Sequence, residues 1–321
     1  MIAVARSGPK LRWIWLIFVL LLPLRGQVAQ ESWTKPIETL IASGNLAQAR
    51  AQLEQEKSAR GETAAVEYFE ARILFEERRY AEALQVVQRS LEKVPTDPEL
   101  YKLAALSAIR MDRLDIAEPA LKTAAQLAPG DYLVHFHLGA LFYTKSLFLP
   151  AKTELEKATQ LNSNYLPAML FLGLALEEVG DEKTTIATYR RAMEVAATQH
   201  TAKEMPCIYL GRFYYRLSRF AEGLPLLEKA VEINPASAEA WLELGKTLHA
   251  QDRDREAVQA LENSTKADAQ NAEPHYLLFR VFESQGREQA AQEELKQFQE
   301  LNKQKASDDP ARRRLASQSA H

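Results

Sequence analysis

Large apolar residues recur along this chain at intervals of three and four residues, in blocks separated by short polar turns. The stretch from Asn234 to Ala267, NPASAEAWLELGKTLHAQDRDREAVQALENSTKA, contains two such blocks. Intervals of three and four place the apolar side chains on one face of an α-helix. The pattern therefore predicts pairs of amphipathic helices, each pair joined by a tight turn.

The pair of blocks repeats with a period of 34 residues. Aligned units begin at residues 30, 64, 98, 132 and 166 and, after four extra residues, at 204, 238 and 272, and the last ends at Lys305. Such a period indicates stacked helix pairs, in which each pair buries its apolar face against its neighbours. We expect the four extra residues, near His200 to Lys203, to lengthen one helix by about a turn without rotating its faces.

Three columns of the alignment have narrow ranges of side-chain size. Glycine inside a helix costs about 1 kcal/mol relative to alanine, so Gly245 predicts a close approach between two helices. We expect the eighth position, on the first helix, to face the small twentieth position on the second, with the turn near the fifteenth position, where Gly44, Gly180 and Gly286 lie. The columns read Ile37, Ala71, Ala105, Gly139, Gly173, Gly211, Gly245 and Phe279 at the eighth position, Ala49, Ala83, Ala117, Ala151, Thr185, Gly223, Ala257 and Ala291 at the twentieth, and Leu53, Val87, Leu121, Leu155, Tyr189, Leu227, Leu261 and Leu295 at the twenty-fourth.

These columns resemble the tetratricopeptide repeat (TPR). Its signature is met by Trp241, Leu244, Gly245, Leu248, Ala257 and Leu261, and its closing proline by Pro95, Pro129 and Pro235. The resemblance covers residues 30–305 and implies an all-α fold, a right-handed α-solenoid of about eight helix-turn-helix units. In this family the first helix of each unit lines a concave surface that commonly binds proteins or peptides.

The N-terminal segment predicts export. Arg6, Lys10 and Arg12 precede an apolar run from Trp13 to Leu22, which matches a signal-peptide core and is too short to cross a bilayer. We therefore expect residues 1–29 to be a signal peptide and the chain to be an exported bacterial-type TPR protein of the periplasm or cell envelope. An uncleaved anchor is the alternative, and it is the only membrane contact that we expect. Residues 306–321 predict a disordered polar tail.

Charge and cysteine content exclude several classes of protein. The chain has 40 basic and 43 acidic residues, and four of the basic residues precede the first acid, Glu31. A mildly acidic body gives no electrostatic basis for binding nucleic acid. Cys207 is the only cysteine, so intramolecular disulfides and multi-cysteine zinc sites are excluded.

No catalytic motif occurs in the sequence, which lacks a phosphate-binding loop, a Gly-x-Ser-x-Gly elbow and a His-Glu-x-x-His pair. His135 and His137 are two residues apart, so they point in different directions and cannot chelate one metal ion from the same helix. Cys207 falls at a packing position. We expect no catalytic residue, no cofactor and no metal, and hence no enzyme.

Candidate binding residues lie at positions 2, 5, 9 and 12 of the first helix, which share a stripe facing away from the second helix. Its apolar part comprises Leu106, Ile109, Leu133, Phe136, Tyr143, Leu170 and Leu174, continued by Ile208. These residues either pack between adjacent first helices or form an apolar floor for a partner. Its basic and aromatic part comprises Arg212, Tyr215, Arg216, Lys246, His249, Tyr276 and Arg280, with Glu239, Glu273 and Glu283 interspersed.

The basic part likewise has two interpretations. It is either a solvated face neutralised by its own glutamates, or a site at which Arg212 and Arg216, one turn apart, hold a carboxylate. Some TPR domains hold a C-terminal carboxylate with lysine and asparagine at positions 5 and 9, and no unit here has that pair. We therefore expect a non-catalytic scaffold that binds an internal peptide or a folded protein. The alternative is an envelope assembly or polysaccharide-export factor that contacts a glycan, through Tyr143, Tyr215 and Tyr276, or membrane machinery.

Overall fold

The computed structural model describes residues 32–199 and 203–307. The predicted signal peptide lies outside the described residues, as does most of the predicted polar tail. Within the described ranges the chain is entirely helical, with sixteen α-helices and no strand. The all-α prediction of repeated helix pairs is confirmed.

The described residues form two compact units, one ending at Val179 and the other beginning at Gly180. Each is considered by itself. Unit 1 contains α1 (Thr34–Ala42), α2 (Leu46–Arg60), α3 (Ala64–Glu76), α4 (Tyr80–Lys93), α5 (Pro98–Arg110), α6 (Leu114–Leu127), α7 (Tyr132–Thr144), α8 (Phe148–Leu161) and α9 (Leu166–Val179). Unit 2 contains α10 (Glu182–Thr198), α11 (Met205–Arg216), α12 (Phe220–Ile233), α13 (Ala238–His249), α14 (Asp254–Ala267), α15 (Ala272–Ser284) and α16 (Glu288–Ser307).

Each odd-numbered helix is the first helix of a 34-residue repeat and is called an A helix below. Each even-numbered helix is the second helix of a repeat and is called a B helix. α10 has 17 residues, whereas α8, α12 and α14 have 14 each. This extra length lies directly before the four-residue insertion. At the C-terminal end, α16 continues to Ser307, two residues into the segment predicted to be a disordered tail.

Side-chain caps define where many A helices begin. Thr63, Asp97, Asp131, Ser237 and Asn271 each precede an A helix and accept a hydrogen bond from a backbone amide of its first turn. Such caps satisfy amides that have no partner within the helix. The boundaries of these helices therefore follow from single polar residues in the sequence.

Every turn between an A helix and its B helix contains a left-handed residue at the fifteenth position. Three of these residues are the glycines noted in the sequence, with φ between 68° and 84°. The other five are not glycine and have φ between 58° and 63°: Arg78, Asp112, Ser146, Ser218 and Asp252. The backbone N–H of the residue that follows donates a hydrogen bond to a carbonyl oxygen of the A helix. The N–H of Arg253, for example, donates to the carbonyl oxygen of Leu248 at 3.0 Å, and this bond ends the helix.

Gly139, Gly211 and Gly245, all at the eighth position, make room for a leucine of the B helix. A Cβ atom added at Gly245 would lie 2.7 Å from both Cγ and Cδ2 of Leu261, and 3.4 Å from the carbonyl oxygen of Ala257. At Gly139 the nearest atom is Cγ of Leu155, at 2.6 Å. A Cβ atom added at Gly223, a twentieth-position residue, would lie 2.9 Å from the carbonyl oxygen of Gly211 at the eighth position. The expectation that the eighth position faces the twentieth is therefore confirmed, and the leucine at the twenty-fourth position needs the same space.

The carbonyl groups of the closing prolines contact side chains of the A helix that follows them. The carbonyl of Pro95 accepts a hydrogen bond from the Tyr101 hydroxyl at 3.0 Å, and that of Pro235 accepts one from Trp241 Nε1 at 2.8 Å. A ring nitrogen of His135 lies 3.0 Å from the carbonyl oxygen of Pro129. A polar aromatic residue at the fourth position thus positions the loop before each of these A helices.

Candidate functional site

The candidate site is the A-helix stripe, defined as positions 2, 5, 9, 12 and 13 of the A helices. In unit 1 it runs over α1, α3, α5, α7 and α9, and in unit 2 over α11, α13 and α15. The structure places the predicted residues on these helices but exposes them very unequally. Their burial separates residues that hold the repeats together from residues that a partner can reach.

Most of the predicted apolar residues are buried. Leu133, Phe136, Leu170 and Leu174 in unit 1 are less than a tenth exposed, and Ile208 in unit 2 is fully buried. Burial favours the alternative that these five side chains pack between helices. Leu106, Ile109 and Tyr143 remain half-buried, and they are the part of the apolar stretch that solvent reaches.

Aromatic contacts show how Phe136 is held. Its ring packs edge to face against Tyr165, with centroids 5.2 Å apart, and against Phe171 at 5.6 Å. Tyr143 packs in the same manner against Phe148 at 5.6 Å. Edge-to-face pairs add stabilisation beyond area burial. Phe136 is therefore a packing residue, and Tyr143 offers a partner only part of its ring.

Unit 1 also contains polar and charged stripe residues that the sequence interpretation missed. Lys102, at position 5 of α5, is fully buried. Its ammonium donates to a carboxylate oxygen of Glu99, at position 2, at 2.8 Å and to one of Asp131 at 2.7 Å. Tyr68 and Arg72, at positions 5 and 9 of α3, are buried as well, and the Arg72 guanidinium lies 5.9 Å from the Tyr68 ring centroid. The positional rule that selected the other candidates, applied to the repeats that begin at residues 64 and 98, would also have selected Glu99, Lys102, Tyr68 and Arg72.

Burial dominates the electrostatics of this region. Desolvation raises the pKa of Glu38, Glu76 and Glu99, although Arg72 opposes the shift at the first two and Lys102 at the third. Desolvation also raises the pKa of Tyr68. At these three carboxyl groups the nearby cations therefore do not fully offset the loss of hydration.

The pKa values of the two histidines of α7 are shifted in opposite directions. His135 Nδ1 lies 2.6 Å from Glu154 Oε2, and this hydrogen bond raises the pKa of the imidazole. His137 is fully desolvated, which lowers its pKa to about 4, and its Nδ1 has no hydrogen-bond partner. Neither histidine belongs to a metal-binding group: in residues 32–199 and 203–307 no three His, Cys, Asp or Glu side chains are arranged to hold a metal ion.

In unit 2, stripe glutamates neutralise two of the predicted cations. Arg212 Nη1 lies 3.1 Å from Glu239 Oε1, and Lys246 Nζ lies 2.6 Å from Glu273 Oε1. In both cases a cation at position 9 pairs with a glutamate at position 2 of the next A helix. Burial disfavours the charged form of Lys246, but Glu243 and Glu273 outweigh it and raise its pKa. Arg212 is therefore already engaged, and the predicted carboxylate clamp with Arg216 would have to compete with Glu239.

The remaining predicted residues of unit 2 are more accessible. Arg216, Tyr276 and Arg280 are exposed, and a hydrogen bond with Tyr276 raises the pKa of Arg280. His249 is half-buried, with Nδ1 2.7 Å from Asp254 Oδ1. Tyr215 is half-buried against the Phe220 ring, with centroids 5.5 Å apart. This stretch of the stripe presents cationic and aromatic groups to solvent.

Two further features bear on the chemistry. Cys207 is buried, and desolvation raises the pKa of its thiol, so the reactive thiolate form is disfavoured. Among the helices of the described residues, none combines the length and apolarity that a membrane span requires.

Comparison with known families places a repeat model in each unit. Models of the tetratricopeptide repeat match residues 38–98 and residues 214–278. A search of curated proteins finds similarity to the anaphase-promoting complex subunit CDC16 of Saccharomyces cerevisiae, at 24% identity over 150 residues. That alignment covers 44% of this chain and 17% of the yeast protein, so the chain matches about a sixth of its length.

Solved structures show the same architecture. The crystal structure of the APC/C hetero-tetramer Cut9–Hcn1 aligns with a TM-score of 0.60 at 18% identity, over 76% of this chain and 48% of that one. The C-terminal part of a TPR repeat-containing protein from Cytophaga hutchinsonii aligns with a TM-score of 0.56 at 18% identity, over 73% of this chain and 95% of that one. At this identity the likeness concerns the fold.

Proposed function

Because this chain is a tetratricopeptide-repeat protein, we propose that it is a non-catalytic scaffold of the cell envelope that binds a protein or peptide partner on its A-helix stripe. Proteins of this family generally mediate protein–protein interactions. The stripe of unit 2 is the stretch that carries the proposal. It exposes Tyr276 and Arg280, whereas Arg212 and Lys246 are neutralised by neighbouring glutamates.

Arginine and tyrosine are residue types that often contribute strongly to protein interfaces. The guanidinium gives directional hydrogen bonds to carboxylates, and the tyrosine ring gives a large contact area with few rotatable bonds. Tyr276 is 38% exposed, and its ring lies near that of Phe298 of α16, with centroids 5.2 Å apart. A partner side chain that covers Tyr276 would therefore meet a ring that is already held in place.

The partner experiment uses the immobilised full chain and extracts of the source cells. We expect the double variant Tyr276→Ala, Arg280→Ala to lose the partner that the parent recovers. Arg255→Ala is the matched control, because Arg255 is exposed on α14, a B helix, and should leave recovery unchanged. Equal recovery by the double variant and the control would remove this stretch of the stripe from the proposal.

The envelope location rests on the N-terminal segment, whose basic residues and ten-residue apolar run precede the first described helix. Its test is a fusion of residues 1–31 to a reporter enzyme that is active only after export. We expect reporter activity in the parent fusion and its loss when Ile17 and Leu21 are changed to arginine. A fusion that remains inactive in the cytoplasm would contradict the location while leaving the scaffold proposal intact.

A further inference from the structure

The final repeat of unit 2, formed by α15 and α16, differs from the two repeats before it in what covers it. α13 packs against α11 and α12, and α15 packs against α13 and α14. Among residues 203–307 no A helix follows α15 and α16. The side that the next A helix covers in the earlier repeats therefore has no such cover in the final repeat from the described part of the chain.

The large residue at position 24 shows this difference directly. In the seven earlier repeats it is at most 3% exposed. In unit 2, Leu227 and Leu261 each share a core cluster with apolar residues of the A helix that follows. Leu295 is the equivalent residue of the final repeat, and it is half-buried. An apolar side chain at a core position thus remains partly accessible.

Three aromatic residues of the final repeat are incompletely covered as well. Phe279 and Phe298 are half-buried, and Tyr276 is 38% exposed. The centroid of the Tyr276 ring lies 5.2 Å from that of Phe298 and 6.1 Å from that of Phe279, so the rings cover one another only in part. A terminal repeat normally has a polar outer face. Together with Leu295 and Arg280, these three residues are called the end face below.

Cations at position 9 connect successive A helices of unit 2. Arg212 of α11 pairs with Glu239 of α13 at 3.1 Å, and Lys246 of α13 pairs with Glu273 of α15 at 2.6 Å. Both glutamates are at position 2, in the first turn of their helix, where a negative charge also stabilises the helix itself. Two consecutive helix contacts therefore use the same ion pair at the same positions of the repeat.

Arg280 is the third cation of this series, at position 9 of α15. The side chains of Arg212 and Lys246 are only 22% and 14% exposed, whereas Arg280 is an exposed residue. It donates a hydrogen bond to Tyr276 and lies near Glu283, both of which are on its own helix. By its position in the repeat, Arg280 is placed to pair with a first-turn glutamate of an added helix.

The two A helices that pack onto a preceding repeat in this way share a sequence pattern. In each, the glutamate is followed by large apolar residues five and nine positions later, which lie on one face of the helix. The pattern is met by Glu239, Leu244 and Leu248 in α13 and by Glu273, Leu278 and Phe282 in α15. Its apolar members belong to the core clusters that cover position 24 of the preceding repeat.

Other segments of this chain fit the end face poorly. Residues 308–321 contain no glutamate and one large apolar residue, Leu315, and their three consecutive arginines would repel Arg280. In a second copy, the A helix at the other end of the described residues is α1. The pattern there would begin at Glu31 and place Pro36 where a large apolar residue is needed. A helix from a different polypeptide is therefore the occupant that the charges and the spacing favour.

We propose that the end face binds an amphipathic α-helix of the partner protein, which packs onto α15 and α16 as an additional A helix. A glutamate in its first turn pairs with Arg280, and large apolar residues five and nine positions later cover Leu295 and Phe279. The inference rests on the proposed function, because it names the kind of partner segment that the C-terminal end of the unit 2 stripe takes.

The probe is a fluorescein-labelled peptide of residues 237–250, which contains Glu239, Leu244 and Leu248. A hydrocarbon staple on the opposite side keeps the peptide helical, because an isolated helix of this length is marginally stable in water. Fluorescence anisotropy measures its binding to the full chain. We expect saturable binding that weakens about fivefold when the peptide carries Glu239→Lys, because a partly exposed ion pair is lost.

Charge reversal on the protein tests the pairing itself. The Arg280→Glu chain should bind the parent peptide about fivefold more weakly than the parent chain does, and it should prefer the Glu239→Lys peptide. This reversal of preference does not depend on the overall affinity. Absence of peptide binding, or equal affinities of both peptides for both chains, would overturn the inference.

A matched pair of substitutions on α16 tests the apolar part of the end face. Leu295→Gln should weaken binding of the parent peptide about tenfold, because it removes apolar surface that the helix covers. Lys296→Gln is the control, since Lys296 is the next residue along the same helix and is exposed. Equal losses in both variants would overturn the inference. If Leu295→Gln weakens folding, the charge reversal still decides the question.

The remaining occupants give distinct results. Sedimentation velocity that shows a dimer of the parent and a monomer of Leu295→Gln would assign the end face to a second copy and overturn the inference. Peptide binding that occurs only after removal of residues 308–321 would assign it to that segment, with the same consequence. Loss of partner recovery by Tyr276→Ala, Arg280→Ala without any peptide binding would leave the scaffold proposal standing alone.

Discussion

The smallest residues of this chain determine how closely its helices approach each other. At Gly139, Gly211 and Gly245 the missing Cβ leaves space for a leucine of the paired B helix, whose Cγ would be 2.6–2.7 Å away from that atom. Cγ belongs to the inner part of the leucine side chain, so a rotamer change at its end cannot relieve the overlap. Close packing of this kind makes a single added methyl group costly.

Gly245→Ala tests this contact. Overpacking costs about 1–3 kcal/mol, whereas replacing a helical glycine by alanine gains about 1 kcal/mol. We expect overpacking to prevail and the free energy of unfolding, measured with urea, to fall by about 1 kcal/mol. In a Leu261→Ala background the same change should be neutral or stabilising, because the opposing side chain has been removed. An equal cost in both backgrounds would contradict the proposed contact.

The histidines of α7 should give unit 1 two opposite pH dependences. The hydrogen bond to Glu154 raises the folded pKa of His135 above its unfolded value, near 6.5. Its stabilisation is therefore complete below that pH and disappears as the pH rises through the folded pKa. Desolvation lowers the pKa of His137 to about 4, so the unfolded chain binds its proton first and stability declines as the pH falls from 6.5 towards 4.

Urea denaturation at several pH values separates these effects. Relative to the parent, His135→Gln should flatten the loss of stability above pH 6.5, and His137→Leu should flatten the loss between pH 6.5 and 4. The second effect should amount to about 2–3 kcal/mol at pH 4, since each pKa unit corresponds to 1.36 kcal/mol. Parallel profiles for the parent and His137→Leu would contradict the burial of an uncharged imidazole.

At the scale of the helices, the turn between each A helix and its B helix is the most regular feature. All eight turns place a positive φ at the fifteenth position, yet only three use glycine. In a left-handed conformation a residue with a Cβ costs about 1 kcal/mol or more. The five non-glycine turns therefore store backbone strain that the packing of the helix pair sustains.

At the fifteenth position, a change to glycine should raise the free energy of unfolding, and a change from glycine to alanine should lower it. Ser218, with φ of 58°, should gain about 0.5–1 kcal/mol when changed to glycine, because the strain is relieved. Gly286→Ala should lose about 1 kcal/mol, and no atom lies within 4 Å of the added Cβ, so the cost is due to the backbone alone. Thermal melts of both variants provide the measurement, and changes of the same sign would contradict the assignment of strain.

Much of this organisation could be predicted from the sequence because it depends on local spacing. The 34-residue period, the turn at the fifteenth position and the large residue at the twenty-fourth follow from helical periodicity. The left-handed conformations of Arg78 and Ser218 could not be predicted, since neither residue type signals a positive φ. The turn geometry imposes it on whichever residue occupies that position.

The site was less predictable, because accessibility depends on residues from other helices. Phe136 and Leu170 occupy stripe positions, but the packing of adjacent helices buries both. The burial of Lys102 could not be predicted, because a lysine is seldom fully buried and because only the structure brings Asp131, 29 residues away in sequence, to its ammonium. Periodicity assigns a residue to a face of its helix and does not reveal what covers that face.

At the scale of the whole molecule, the two units carry different chemistry on the same positions of the repeat. The stripe of unit 1 combines buried aromatic packing with the ion pairs of the buried Lys102, whereas the stripe of unit 2 exposes Arg216, Tyr276 and Arg280. Since each unit has its own helix pairs and core clusters, these surfaces can change in sequence without changing the fold. Specificity for a partner is thus expected to lie in the stripe residues.

Site-specific photo-crosslinking in living cells tests most directly whether the stripe is the partner-binding surface. A benzophenone amino acid would replace Arg280 on the stripe or, as the control, Arg255 on the exposed side of α14. The account predicts a discrete crosslinked partner band from position 280 and none from position 255. The same band from position 255, together with none from position 280, would contradict it.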